Sequence, residues 1–286
     1  MSVELHPTCT FRRYTHGIVK AAAPPKSRTG RRLLADRRGS ETLSSLIIAT
    51  TILVVTLVSA NVATHMIELQ VAQAEYNEAK EAMVILADIV EEVGSKTYSS
   101  SYVKFNCRSG RLDFLKNSTH VKVVLRTELE NLTLIDTYTS SLRYKSGSRF
   151  SVVEEYVRGG ADPILGEEAA PLVSIYTGMD QDGAPAIWFY SGSIRLIEEG
   201  TMYLEGRGCN VTVYELVFVK IRIGATFGSG SLNVKAYGKA VSINTQLVEN
   251  SGTVHLVVNG QEKDSASIAA PALIYVAVAE VEVATV

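Results

Sequence analysis

The residues that could do chemistry in this chain are few, and the most suggestive group is Arg37-Arg38-Gly39-Ser40-Glu41-Thr42-Leu43. Two bases precede a residue with no side chain, where the backbone is open to close approach. An uncharged apolar run starts directly after it. Further along, Cys107 and Cys209 are an even pair that an oxidising compartment makes a disulfide candidate. Closing a loop of about 100 residues would stabilise by up to roughly 4–5 kcal/mol in the chain-entropy model; two separately buried thiols are the alternative. Asn117, Asn131 and Asn210 each head an Asn-x-Ser/Thr triplet and are N-glycosylation candidates. Nothing points to catalysis. His65, His120 and His255 are isolated, and no His-Glu-x-x-His, Gly-x-Ser-x-Gly, phosphate-binding loop or paired-cysteine zinc spacing occurs. Asp180-Gln-Asp182-Gly183 has two of a calcium loop's ligands and lacks the others, so it reads as a turn. The expectation is a non-enzyme with no catalytic residue, no cofactor and no metal.

The elements that must position these residues follow from charge and periodicity. Residues 1–39 hold nine Lys/Arg and two acids, a net +7, whereas the rest of the chain carries −9. The boundary is Leu43–Ala60, eighteen residues without a charge. At the helical rise they extend about 27 Å, close to the thickness of a bilayer's hydrocarbon. Its hydroxyl side chains can return their hydrogen bonds to the helix's own carbonyls. The basic leader marks the cytoplasmic end, so the C-terminal bulk is expected outside, as a single-pass protein. Val58-Ser59-Ala60 also fits ordinary signal peptidase, which would release a secreted protein starting at Asn61.

Beyond the span the helical period persists. Met66, Leu69, Ala72, Tyr76, Ala79, Met83, Leu86, Val90 and Val93 form one stripe, with Glu75 and the other acids largely outside it and Gly94 as a stop. From about residue 99 the period becomes two. Strands are expected at 102–107, 120–125, 187–190, 203–204, 211–223, 231–237, 254–258 and 273–283, separated by Gly/Ser/Asn turns. The last run is apolar, but Pro271, Glu280 and Glu282 make it a buried strand rather than a second span. Gly159–Pro171 reads as a surface loop with a helical turn. The fold class is α+β: a long membrane-spanning helix with an amphipathic extension, then an antiparallel, sandwich-like β domain. The divisions are 1–39 leader, 40–63 transmembrane and assembly helix, 64–95 extension and 96–286 exported domain.

The junction, the span, the amphipathic continuation and the β-rich remainder together resemble type IV pilins and their archaeal relatives, with a class III signal peptide. The resemblance covers about residues 31–95. It implies cleavage by a prepilin peptidase after Gly39, with Arg37, Arg38 and Ser40 completing the processing site. It also implies assembly through Glu41, Leu43, Leu46 and Leu53 with other pilin-like subunits on a membrane platform. The chain departs from bacterial pilins in having Ser40 at the first mature position and Glu41 at the second, where those carry an aromatic first and a Glu fifth. Glu41 either neutralises a neighbouring subunit's amino terminus in low dielectric or is an acid favoured by the helix dipole. The function implied is a structural subunit of a surface filament, in contact with the lipid bilayer and with no nucleic acid, since the exported part is acidic. An uncleaved, signal-anchored extracellular binding module is the alternative, and a membrane-tethered enzyme a third.

Overall fold

The computed structural model describes residues 37–286 except 161, 167–169 and 227, with side chains from residue 41 onward. The leader through residue 36, and the side chains of Arg37, Arg38, Gly39 and Ser40, therefore lie outside the described residues. The backbone from Arg37 is already helical: α1 runs Arg37–Gly94 as one element of 58 residues. Two compact units divide at Asn61/Val62.

In the first unit α1 is apolar on every side. Together with the first turns of the second unit, its large apolar residues from Leu43 to Ile67 are 54–62% exposed, and Leu69 is the first that is half-buried. Several of its hydroxyls turn back to the helix as expected, with Thr50 Oγ1 donating to the carbonyls of Leu46 and Ile47 and Thr51 Oγ1 to that of Ile47 (2.7 Å). Thr56 Oγ1 donates to Ile52 O. The helix is long and apolar enough to cross a membrane.

The second unit is α1 from Val62 onward and thirteen strands: β1 (Ser100–Cys107), β2 (Arg111–Thr127), β3 (Asn131–Lys145), β4 (Glu155–Arg158), β5 (Leu165–Gly166), β6 (Val173–Met179), β7 (Pro185–Ser191), β8 (Ile194–Leu204), β9 (Cys209–Ile223), β10 (Gly230–Val248), β11 (Gly252–Val258), β12 (Gln261–Ile268) and β13 (Ala272–Thr285). A six-stranded sheet has the order β1-β10-β13-β9-β8-β5, and a seven-stranded sheet the order β12-β11-β2-β3-β7-β6-β4. The pairing is antiparallel except for β9–β13 and β5–β8, which are parallel. The expected antiparallel pattern holds apart from these two pairings. Between Gly159 and Pro171 the described residues form the short strand β5 and no helical turn.

Two apolar clusters hold this unit together, and they lie on opposite faces of the six-stranded sheet. On β9, Tyr214, Leu216 and Phe218 join one cluster with β2, β11 and β12, while Val219 and Ile221 join the other with the helix. β13 divides in the same way, Ile274 and Val276 facing one side and Val281 and Val283 the other. The buried face of β13 changes over near Val278, so apolar residues fill successive positions of both faces there, which explains why Leu273–Val283 resembles a span and is a strand. The helix stripe is borne out from Ala72: Tyr76, Ala79, Met83, Leu86, Val90 and Val93 are all buried among both sheets, whereas Met66 is exposed.

The helix ends where the sheet requires it. A side chain on Gly238 of β10 would meet the carbonyl oxygens of Val93 and Lys96 at 2.6 and 2.7 Å, so this glycine lets the last turn rest on the strand. Beside it the register shifts between Gly238 and Ala240.

Leu86→Ala removes a side chain with no exposed surface and is expected to destabilise the β domain by about 2–5 kcal/mol. Leu57→Ala, in the exposed apolar stretch, leaves it unchanged. Urea unfolding followed through Trp188, the only tryptophan, measures both.

Candidate functional site

The residues expected to carry assembly stand on the outside of α1. Leu43, Leu46 and Leu53 are 62%, 62% and 60% exposed, and Glu41, two residues before Leu43, is exposed as well. The spacing of charge-free residues is enough to make the helix apolar all round, and among the described residues nothing packs on it. The chemistry available to such a surface is burial, in lipid or against other helices.

What gives that surface a purpose is how the same helix is held by the β domain. Glu75 is 6% exposed on the buried face of α1. Its carboxylate accepts from Ser109 N (3.0 Å), Ser109 Oγ (2.9 Å), Gly110 N (2.9 Å) and Tyr144 OH (2.9 Å). The β1–β2 turn thus folds over the carboxylate and points its amides inward. A side chain on Gly110 would strike the Tyr144 ring and hydroxyl, the oxygen lying at 2.3 Å. Burial alone would raise the carboxyl's pKa; the backbone amides of Ser109 and Gly110, with the two hydroxyls, outweigh it and hold the pKa below the ordinary range. The sequence reading set Glu75 outside the buried stripe. Its place three residues after Ala72 and four before Ala79 was the available signal.

Glu91 makes the second attachment, near the other end of the buried segment. It accepts from Arg158 Nη2 (2.9 Å) of β4 and Arg195 Nη2 (2.6 Å) of β8, strands of different sheets, and from Leu172 N (3.0 Å). Arg158 also pairs with Asp88, and Arg195 Nε donates to Ala170 O (2.6 Å). Lys80 to Glu155 (2.5 Å) and Asn106 Nδ2 to Glu78 (2.6 Å) add contacts along the rim. The domain therefore grips the helix through apolar packing and two fully engaged carboxylates.

The other predicted sites are dispersed. Cys107 and Cys209 are both free thiols, which corrects the disulfide expectation. β1 and β9 are separated in their sheet by β10 and β13, about 14 Å at the usual strand spacing. Cys107 also lies opposite Gly230, past the Thr285 end of β13, while Cys209 lies beyond the Ala272 end. A bridge needs Cα atoms within about 7 Å. Burial and the nearby Glu75 and Glu78 push the Cys107 thiol up to about 12, so it stays protonated. Asn117, Asn131 and Asn210 are all exposed, at a bulge in β2 and at the starts of β3 and β9. Asp180 and Asp182 form a turn closed by Asp180 N to Ala184 O (2.8 Å). Their carboxylates are taken by Arg143 (3.3 Å) and Lys145 (2.9 and 2.6 Å). Each of the three described histidines is paired with one carboxylate: His65 with Glu68, His120 with Asp136, His255 with Glu262. Among the described residues no three His, Cys, Asp or Glu side chains converge as metal ligands.

Glu75→Gln keeps the shape but sets an amide group among donors, and is expected to cost about 1–3 kcal/mol at neutral pH. Because the native carboxyl binds its proton less readily than the unfolded one, its contribution is complete above the ordinary carboxylate range. It is lost as pH falls through the lower native value. Denaturant unfolding between about pH 6 and pH 3 should therefore show a shallower acid decline in the variant than in the native chain. No family model, curated protein or solved structure matches this chain.

Proposed function

We propose that the chain is a pilin-like structural subunit of an archaeal-type surface filament. On this reading prepilin peptidase cuts between Gly39 and Ser40, and the N-terminal helix first holds the subunit in the bilayer and then bundles with those of other subunits. The β-rich, sandwich-like domain is displayed outside the cell. The observation that carries the reading is the division of labour along α1, which begins at the Arg37-Arg38-Gly39 junction. Residues 43–60 are uncharged and exposed on all sides, and residues 72–93 carry the buried stripe that is the spine of a β domain. A helix serving only as a membrane anchor has no need to be the core of the folded domain. A helix transmitting force from an assembled bundle to a displayed domain does, and the Glu75 and Glu91 attachments serve that load. The three exposed sequon asparagines suit a glycan-coated surface.

Coexpression with an active or an inactive prepilin peptidase, followed by intact-mass analysis, tests this. The expected product is a chain starting at Ser40 with the active enzyme only, and Gly39→Leu should block it. An intact leader under both conditions would sink the proposal in favour of an anchored binding module. A start at Asn61 would make the protein a secreted one.

A further inference from the structure

The edges of the two sheets are treated unequally. Strand edges present unpaired amides and carbonyls, and proteins blunt them by shortness, bulges or charge. Here β4 has four residues and β5 two. β12 carries Glu262, Lys263 and Asp264, and β3 carries Asp136 where β7 no longer covers it. The open part of β8 contains Glu198, Glu199 and a register shift. β1 carries Lys104 and is tied to the helix through Asn106.

β10 is different. β1 covers it only from Gly230 to Tyr237, while β13 follows it to Val248. Among the described residues one backbone edge from Lys239 to Leu247 has no partner strand, and residues 239–245 are exposed on both faces. The segment Lys-Ala-Val-Ser-Ile-Asn-Thr-Gln-Leu has a single charge, at its first position, no proline, and a β-branched row of Val241, Ile243 and Thr245 on one face. Ile243 is 68% exposed.

We propose that the Lys239–Leu247 edge of β10 is a self-association surface, on which the same segment of a second copy adds as an antiparallel strand. Such an edge is a template for a further strand, and this one is complementary to itself. Full overlap of the free stretch centres the two-fold axis on Ile243. Val241 then faces the second copy's Thr245, Ser242 its Asn244, and Ala240 its Gln246. Lys239 falls opposite Leu247, so no like charges meet. The contact is isologous and closes on itself. It therefore cannot propagate a polar filament; in an assembled filament it would join one filament to another. The inference does not rest on the pilin reading, and its test is independent of processing.

Single cysteines are placed in the full-length chain in detergent, in a Cys9→Ser, Cys209→Ser background that keeps the buried Cys107. At the axis, opposed Cα atoms lie about 4.5–5.5 Å apart, within disulfide reach. Ile243→Cys is therefore expected to oxidise to a dimer, identified by the 243–243 peptide. Val241→Cys alone should not, its two copies being about 13 Å apart; mixed with Thr245→Cys it should crosslink. Ile243→Lys sets two ammonium groups face to face. It is expected to weaken self-association at least tenfold by sedimentation, with the unfolding midpoint unchanged. Equal crosslinking of the 241 and 243 variants, crosslinking of neither, capture of the β12 edge instead, or native-like association of Ile243→Lys would each overturn the proposal.

Discussion

The β domain is organised by the need to enclose one stripe of α1. From Ala72 to Val93 every third or fourth residue is apolar and withdrawn from water, and the Met83, Leu86, Val90 and Val93 side chains each stabilise by roughly 1.5–3 kcal/mol on burial. Neither sheet can cover that stripe alone. The helix lies against β1, β9, β10 and β13 of one sheet and β2, β3, β6 and β7 of the other, so both must curve around it. The sheets reach each other past the helix through the second cluster, where β9 and β13 turn their opposite faces toward β2 and β11.

Two hydroxyl contacts show how the sheets are joined at the crossover. β8 accompanies β9 only as far as Val217. Beyond that point Ser191 Oγ donates to Val219 O and Ile221 N donates to Thr139 Oγ1. Side chains of the seven-stranded sheet thus take the place of the missing neighbour strand, and the buried backbone groups of β9 remain satisfied. The same need governs the carboxylates. Glu75 and Glu91 sit where a charge would be costly without partners, and each is surrounded by donors from segments far away in the chain. They fix the position of the helix along its axis, which apolar packing specifies only weakly.

Much of this was legible beforehand in the helix and little of it in the sheets. A charge-free run followed by a 3.6-residue apolar period is a local signal, and it located both halves of α1, although it set the change at residue 64 and the buried stripe begins only at Ala72. Strands with alternation or apolar runs, such as 211–223 and 273–283, were legible for the same reason. β3 was not: Asn131–Lys145 is rich in Thr, Ser and charge. It is a strand because β2 and β7 supply its hydrogen bonds, not because of its own pattern. β6 and β12 were missed likewise, and β10 runs to Val248, well past the expected end.

By itself the sequence determined the quantities that depend on neighbours within a few turns: where the helix runs, which of its segments is uniformly apolar and which is striped, where charge changes sign, and which strands are apolar. The tertiary structure decided what depends on residues brought together from a distance. It put β9 and β13 parallel, and it buried Glu75 under a turn 34 residues away. It set Cys107 and Cys209 at opposite ends of one sheet and left one edge of β10 bare. A carboxylate's environment, a thiol's partner and a strand's free edge are properties of pairs, and pairing is chosen by the fold as a whole.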